Sequence, residues 1–134
     1  HILEHAGMVD CKPCATSVDT NAKVASASGV PVADATQFRS LTGALQDLTF
    51  TWLDIPYAVQ QICLHMHDPR EHHLNAIKRL LHYLRGTLDY GLLLHHSAST
   101  SELVVYIDAN WTDYLDTRRS TSRYAVFLGD NLVS

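Results

Sequence analysis

The chain opens without a sustained hydrophobic period: Ile2 and Leu3 give way to Ala, Ser, Thr, Val and Asp, and residues 15–36 read as a linker or irregular arm. From Phe38 the pattern turns helical. Phe38, Leu41, Leu45 and Leu48 recur three and four apart, which predicts a helix over 36–50 with one apolar face. Asp54 stands where an N-cap belongs, Pro56 suits a first turn, and Ile55, Val59, Ile62 and Met66 make a second stripe that Asp68-Pro69 should stop. The third stripe, Leu74, Ile77, Leu81, Leu84 and Leu88, is the clearest, with Gly86 or Gly91 placed to close it. Three amphipathic helices in succession predict a small helical cluster.

The period then switches. Leu92–Leu94 and Leu103–Ile107 are short apolar runs rich in β-formers, each expected as a strand buried on both faces. Tyr124–Leu128, followed by Gly129-Asp130-Asn131 and Leu132-Val133, is a hairpin signal whose second strand is cut short. Ending there should leave the edge from Tyr124 to Val133 unpaired and open to self-association. The fold class expected is therefore α/β in composition (α+β): an irregular arm over 1–36, three helices over 37–88, and an incomplete, antiparallel sheet over 89–134.

With 134 residues, 46% hydrophobic and 18% charged, the chain has the makings of one globular core rather than a disordered or fibrous protein. A first residue other than Met suggests a piece of something longer. The formal charge of −4 gives no basic surface overall, so any nucleic-acid contact must come from a local patch. No apolar run nears the roughly 18 residues of a membrane span and no targeting leader opens the chain, so an intracellular setting is expected. Three cysteines, an odd count, point to a reducing compartment.

Several residues are candidates for chemistry. Cys11-Lys12-Pro13-Cys14 offers one thiol pair for zinc, but a second pair is missing, and a surface turn with solvated histidines at helix ends is the plainer alternative. Lys78, His82 and Arg85, at i, i+4 and i+7 with Arg79 beside them, form a basic stripe opposite the leucines. Such a stripe serves either as a solvated face or as a grip on phosphate. Asp108 ends a strand within Tyr106-Ile107-Asp108-Ala109-Asn110-Trp111, either capping a turn or standing where a metal-dependent nuclease keeps a carboxylate. Asp113, Asp116 and Asp130 look like loop residues, and Arg118-Arg119 is a second small basic spot.

Taken in order, Phe38-Arg39-Ser40-Leu41-Thr42-Gly43-Ala44-Leu45, Lys78–Thr87, Tyr106–Trp111 and Asp116–Tyr124 resemble the pol polyprotein of copia-type LTR retrotransposons, especially plant ones. The likeness runs through nearly the whole chain. It implies that residues before about Thr87 close a reverse transcriptase and that residues from about Leu103 open a ribonuclease H. It also implies that Asp108 is the first ribonuclease H carboxylate, a Mg²⁺ ligand and part of the catalytic set, and that Lys78, Arg79 and Arg85 lie along an RNA–DNA hybrid or primer-template. The family's Y-x-D-D turn does not occur in these residues, and most of the ribonuclease H carboxylates are missing, so no activity is expected of the chain alone.

The departures share a chemistry. Asn110 stands for an Asp and Arg123 for a Gly, and Trp52, Leu53, Thr112 and Asp113 also replace family residues through changes that single C-to-T or G-to-A transitions produce. That is the footprint of methylated-cytosine decay, which marks a degenerate element; Asp47 and Pro56 fall outside it.

Overall fold

The computed structural model describes residues 2–19, 29–91, 93–96, 102–110 and 121–133. Among them are four helices, α1 (Ile2–His5), α2 (Ala35–Leu48), α3 (Pro56–Cys63) and α4 (Glu71–Gly86). Three strands follow, β1 (Leu103–Asn110), β2 (Thr121–Leu128) and β3 (Asn131–Leu132). The chain divides into two compact units, His1–Tyr90 and Gly91–Ser134. It is thus a mixed helical and antiparallel-sheet protein. No described helix is long and apolar enough to cross a membrane.

The first unit is built on the three stripes. Phe38, Leu41 and Leu45 of α2, Ala58, Val59 and Ile62 of α3, and Ile77, Leu80, Leu81 and Leu84 of α4 are buried together with Ile55. Each large apolar side chain so buried contributes about 1.5–3 kcal/mol. Asp34 caps α2, its carboxylate accepting from Thr36 N–H and Gln37 N–H at 2.9 Å each.

The sequence-based expectations fail at particular junctions. Asp54 does not cap α3; Ile55 does so without a side-chain bond, and the Asp54 carboxylate instead accepts from the Tyr83 hydroxyl. α3 also stops at Cys63, short of Asp68-Pro69, because three-residue bonds (His65 N–H to Ile62 O, Met66 N–H to Cys63 O) tighten the chain into turns. Leu88 lies past the end of α4 and is exposed. The arm is not wholly irregular: α1 packs Ile2 and Leu3 against the core, with Ala6, Met8 and Val18 following. Residues 20–28 of the expected linker lie outside the described residues.

The second unit is a sheet ordered β1-β2-β3, with β1 antiparallel to β2 from Leu103 opposite Leu128 to Asn110 opposite Thr121. The Gly129-Asp130 turn joins β2 to β3, and Gly129 takes the left-handed φ of 59° that glycine adopts without strain. Two expectations are corrected here. β2 is the middle strand of the described sheet, so Tyr124–Leu128 is paired with β1 along its length rather than unpaired, while β3 covers its other side only at Phe127 and Leu128. Nor is β1 buried on both faces: Leu103 is 63% exposed, Tyr106 64% and Ile107 75%. Residues 93–96 are not a strand; the Asn131 side chain bonds His95 N–H and O at 2.6 and 2.9 Å instead. Leu92 lies outside the described residues.

Candidate nucleic-acid interface

The regular burial of one side of α4 dictates what the other side carries. With Ile77, Leu80, Leu81 and Leu84 turned to the core, the 3.6-residue period turns Lys78, Arg79, His82 and Arg85 away from it. Lys78 and Arg85 are exposed, Arg79 and His82 half-buried. Helix α4 therefore does present a row of basic side chains on its outer side.

That row is already engaged by the N-terminal arm, which the sequence did not suggest. Running antiparallel to α4, the arm brings Val9 O to Arg85 Nε at 2.9 Å and Lys12 O to His82 Nδ1 at 2.5 Å. Thr16 Oγ1 accepts from Arg79 Nη2 at 2.7 Å, and the Asp19 carboxylate lies 3.7 Å from Arg79 Nη1. Cys14 N–H donates to His82 O at 3.1 Å, closing the strap onto the helix backbone. Gly86 makes room for it, since a Cβ there would sit 2.9 Å from Pro13 Cβ. The signal for this docking is the close approach of Pro13 to Gly86, a glycine the periodicity assigned to helix closure. The carbonyl, hydroxyl and carboxylate oxygens of the arm show what this face recognises: acceptors, arrayed along the helix.

The thiols fit no metal set. Cys11, Cys14 and Cys63 are free, and among the described residues no three His, Cys, Asp or Glu side chains could jointly hold an ion. Cys14 instead leans on the Thr16 carbonyl, and its thiol is held below the usual range by that backbone contact and by Arg79. Burial pushes the Cys63 thiol up.

The histidines at the start of α4 are also not simply solvated. His73 is 1% exposed, stacked on His65 with ring centroids 3.9 Å apart and 4.0 Å from His72. Its Nδ1 accepts the Arg70 backbone N–H at 2.9 Å, so the ring caps its own helix as a neutral acceptor. Burial, with the neighbouring imidazoles, lowers its pKa to about 4.

Asp108 lies on β1 directly across from Arg123 of β2, exposed to solvent. An opposite-charge pair at that register suits sheet pairing. Because the described residues supply no further ligands around it, they do not by themselves fit Mg²⁺. Asp113, Asp116, Arg118 and Arg119 lie outside the described residues.

Three proteins of Arabidopsis thaliana are similar to this chain. An uncharacterized mitochondrial protein is 40% identical over 133 residues, 99% of this chain and 55% of its own length. The retrovirus-related Pol polyprotein from transposon RE2 is 40% identical, and that from transposon RE1 39%, each over 133 residues and each over 99% of this chain. The chain spans about half the length of the first and only 9% of each polyprotein. No family model matches the chain, and no solved structure matches it.

Proposed function

Since the chain belongs to the retrovirus-related Pol polyprotein family of transposons, we propose that it is the stretch of a copia-type polyprotein in which a reverse transcriptase ends and a ribonuclease H begins. Its share of the work there is to hold nucleic-acid backbone along α4 rather than to carry out chemistry alone. The observation that carries this reading is the row Lys78, Arg79, His82 and Arg85 on the outer side of α4, where the last three already meet oxygen acceptors in a linear array. Phosphate oxygens present the same acceptors with more charge, and side chains that hold them position a duplex without reading its sequence.

The order of the two units supports the same reading, a helical body followed by a strand pair carrying Asp108. On this proposal Asp108 is the first carboxylate of a ribonuclease H metal set, to which the described residues add no further ligand for Mg²⁺. Three free thiols support an intracellular, reducing setting.

The test is polarisation of a fluorescein-labelled RNA–DNA hybrid with the purified chain in Mg²⁺ buffer. Binding is expected to weaken steeply as salt rises, and Lys78→Ala with Arg85→Ala should flatten the log–log salt slope by about 1 for each phosphate that the variant no longer neutralises. The hybrid should stay intact on a gel. Cleavage that Asp108→Asn abolishes would sink the claim of inactivity, and salt-independent binding would sink the interface.

A further inference from the structure

The arm and a nucleic-acid strand would compete for one set of donors. Arg85 Nε is taken by Val9 O, His82 Nδ1 by Lys12 O, and Arg79 by the Thr16 hydroxyl and the Asp19 carboxylate. Resting on the nucleic-acid reading of α4, we propose that residues 9–19 are an autoinhibitory strap, a built-in acceptor ligand of α4 that must lift before the helix grips phosphate.

Three features argue for a removable strap rather than a fixed part of the core. Val9 to Asp19 holds neither helix nor strand, so what ties it down is those bonds, the Cys14 N–H to His82 O bond, the packing of Pro13 on Gly86 and the single core contact of half-buried Val18. Val9, Asp10, Lys12, Pro13, Ala15 and Thr16 are exposed, so water is at hand to replace those bonds as they break. Most of the acceptors are also the right kind to be exchanged: two neutral carbonyls and a hydroxyl occupy positions where a phosphate would add charge to the same hydrogen bonds, while the Asp19 carboxylate meets Arg79 at the longer distance of 3.7 Å. Lys78, exposed and apart from the bonds that Arg79, His82 and Arg85 make to the strap, offers an incoming strand its first hold before the arm moves.

A ligand that binds only the open form is weakened by the fraction of molecules that are open, so loosening the strap should tighten binding. Two charge-neutral variants loosen it from opposite sides. Gly86→Val drives a side chain into Pro13, and Pro13→Gly removes that packing and makes the free arm more flexible. The experiment measures polarisation of a labelled RNA–DNA hybrid oligonucleotide by the full chain at low ionic strength, with hydrogen exchange at the Cys14 amide reporting strap release.

Both variants are expected to speed exchange at Cys14 and to bind roughly tenfold more tightly than the parent. Adding Lys78→Ala and Arg85→Ala to Gly86→Val should abolish the gain. Should faster exchange leave affinity unchanged while the parent still depends on Lys78 and Arg85, the strap masks nothing and the proposal falls with the interface intact. Should parent and variants alike bind no oligonucleotide, the interface reading fails and the strap's role with it. If Gly86→Val loses its cooperative melting, Pro13→Gly, confined to the exposed arm, decides alone.

Discussion

His73 shows how much a single buried ring decides. Its Nδ1 must stay unprotonated to accept the Arg70 N–H, and burial beside His65 and His72 holds its pKa at about 4, against 6.5 for a free imidazole. The unfolded chain therefore binds a proton more readily than the folded one through that window, and stability is lost as pH falls from about 6.5 toward about 4. Urea midpoints are expected to drop over this range by an amount equivalent to up to about 3 kcal/mol. His73→Asn, which keeps an acceptor that does not titrate, should flatten the dependence; an unchanged slope in that variant would assign the effect elsewhere. Little in the local pattern warns of this role, yet His73 precedes Ile77 by four positions, on the very stripe that Leu81 and Leu84 continue. An apolar-only count passes over it because imidazole is polar, although a neutral imidazole packs as an aromatic once one nitrogen has a partner. Asp54 misleads for the converse reason. A carboxylate ahead of a proline suits a cap locally, but the Tyr83 hydroxyl, 29 residues on, takes it, and that bond pushes the tyrosine's pKa up to about 12.

Helices were legible where one face meets a core and less so where their ends are set by local bonds. For α2 the stripe located the body, and Asp34 fixes the start: Asp34→Ala should cost about 1 kcal/mol in denaturant unfolding, with Asp34→Asn close to the parent. A loss below a few tenths of that would show that the helix is held by packing alone. In α3 the stripe ran on into Met66, which does pack against the core, but from a turn rather than a helix. Burial at that spacing therefore does not prove continuous helix. The strands were legible as β-formers and as a hairpin through Gly129, whereas their burial was not. An apolar run with no period of two implies cover on both faces, and in β1 the side chains of Leu103, Val105 and Ile107 share one face with Tyr124 and Leu128, all exposed.

At the scale of the molecule, every buried core residue among those described falls between Phe38 and Leu84, in the first unit. A chain cut after Tyr90 is accordingly expected to keep a single cooperative thermal transition and to sediment as a monomer, while the full chain, with Leu103, Val105, Ile107, Tyr124 and Leu128 open on one face of its sheet, associates as concentration rises. Sedimentation velocity and melting of the two forms check this, and a shortened chain that fails to melt cooperatively would mean that the helical unit needs the sheet. The strap over α4 has a further consequence, in time rather than in space. Val9 leaves the ribosome 76 residues ahead of Arg85, its bonding partner. At about 5–20 residues per second the arm waits some 4–15 s for the helix it will cover. For that interval the nascent arm is bare polypeptide, its two cysteines open to whatever meets them in the tunnel's mouth, and the basic helix is born directly beneath its own inhibitor.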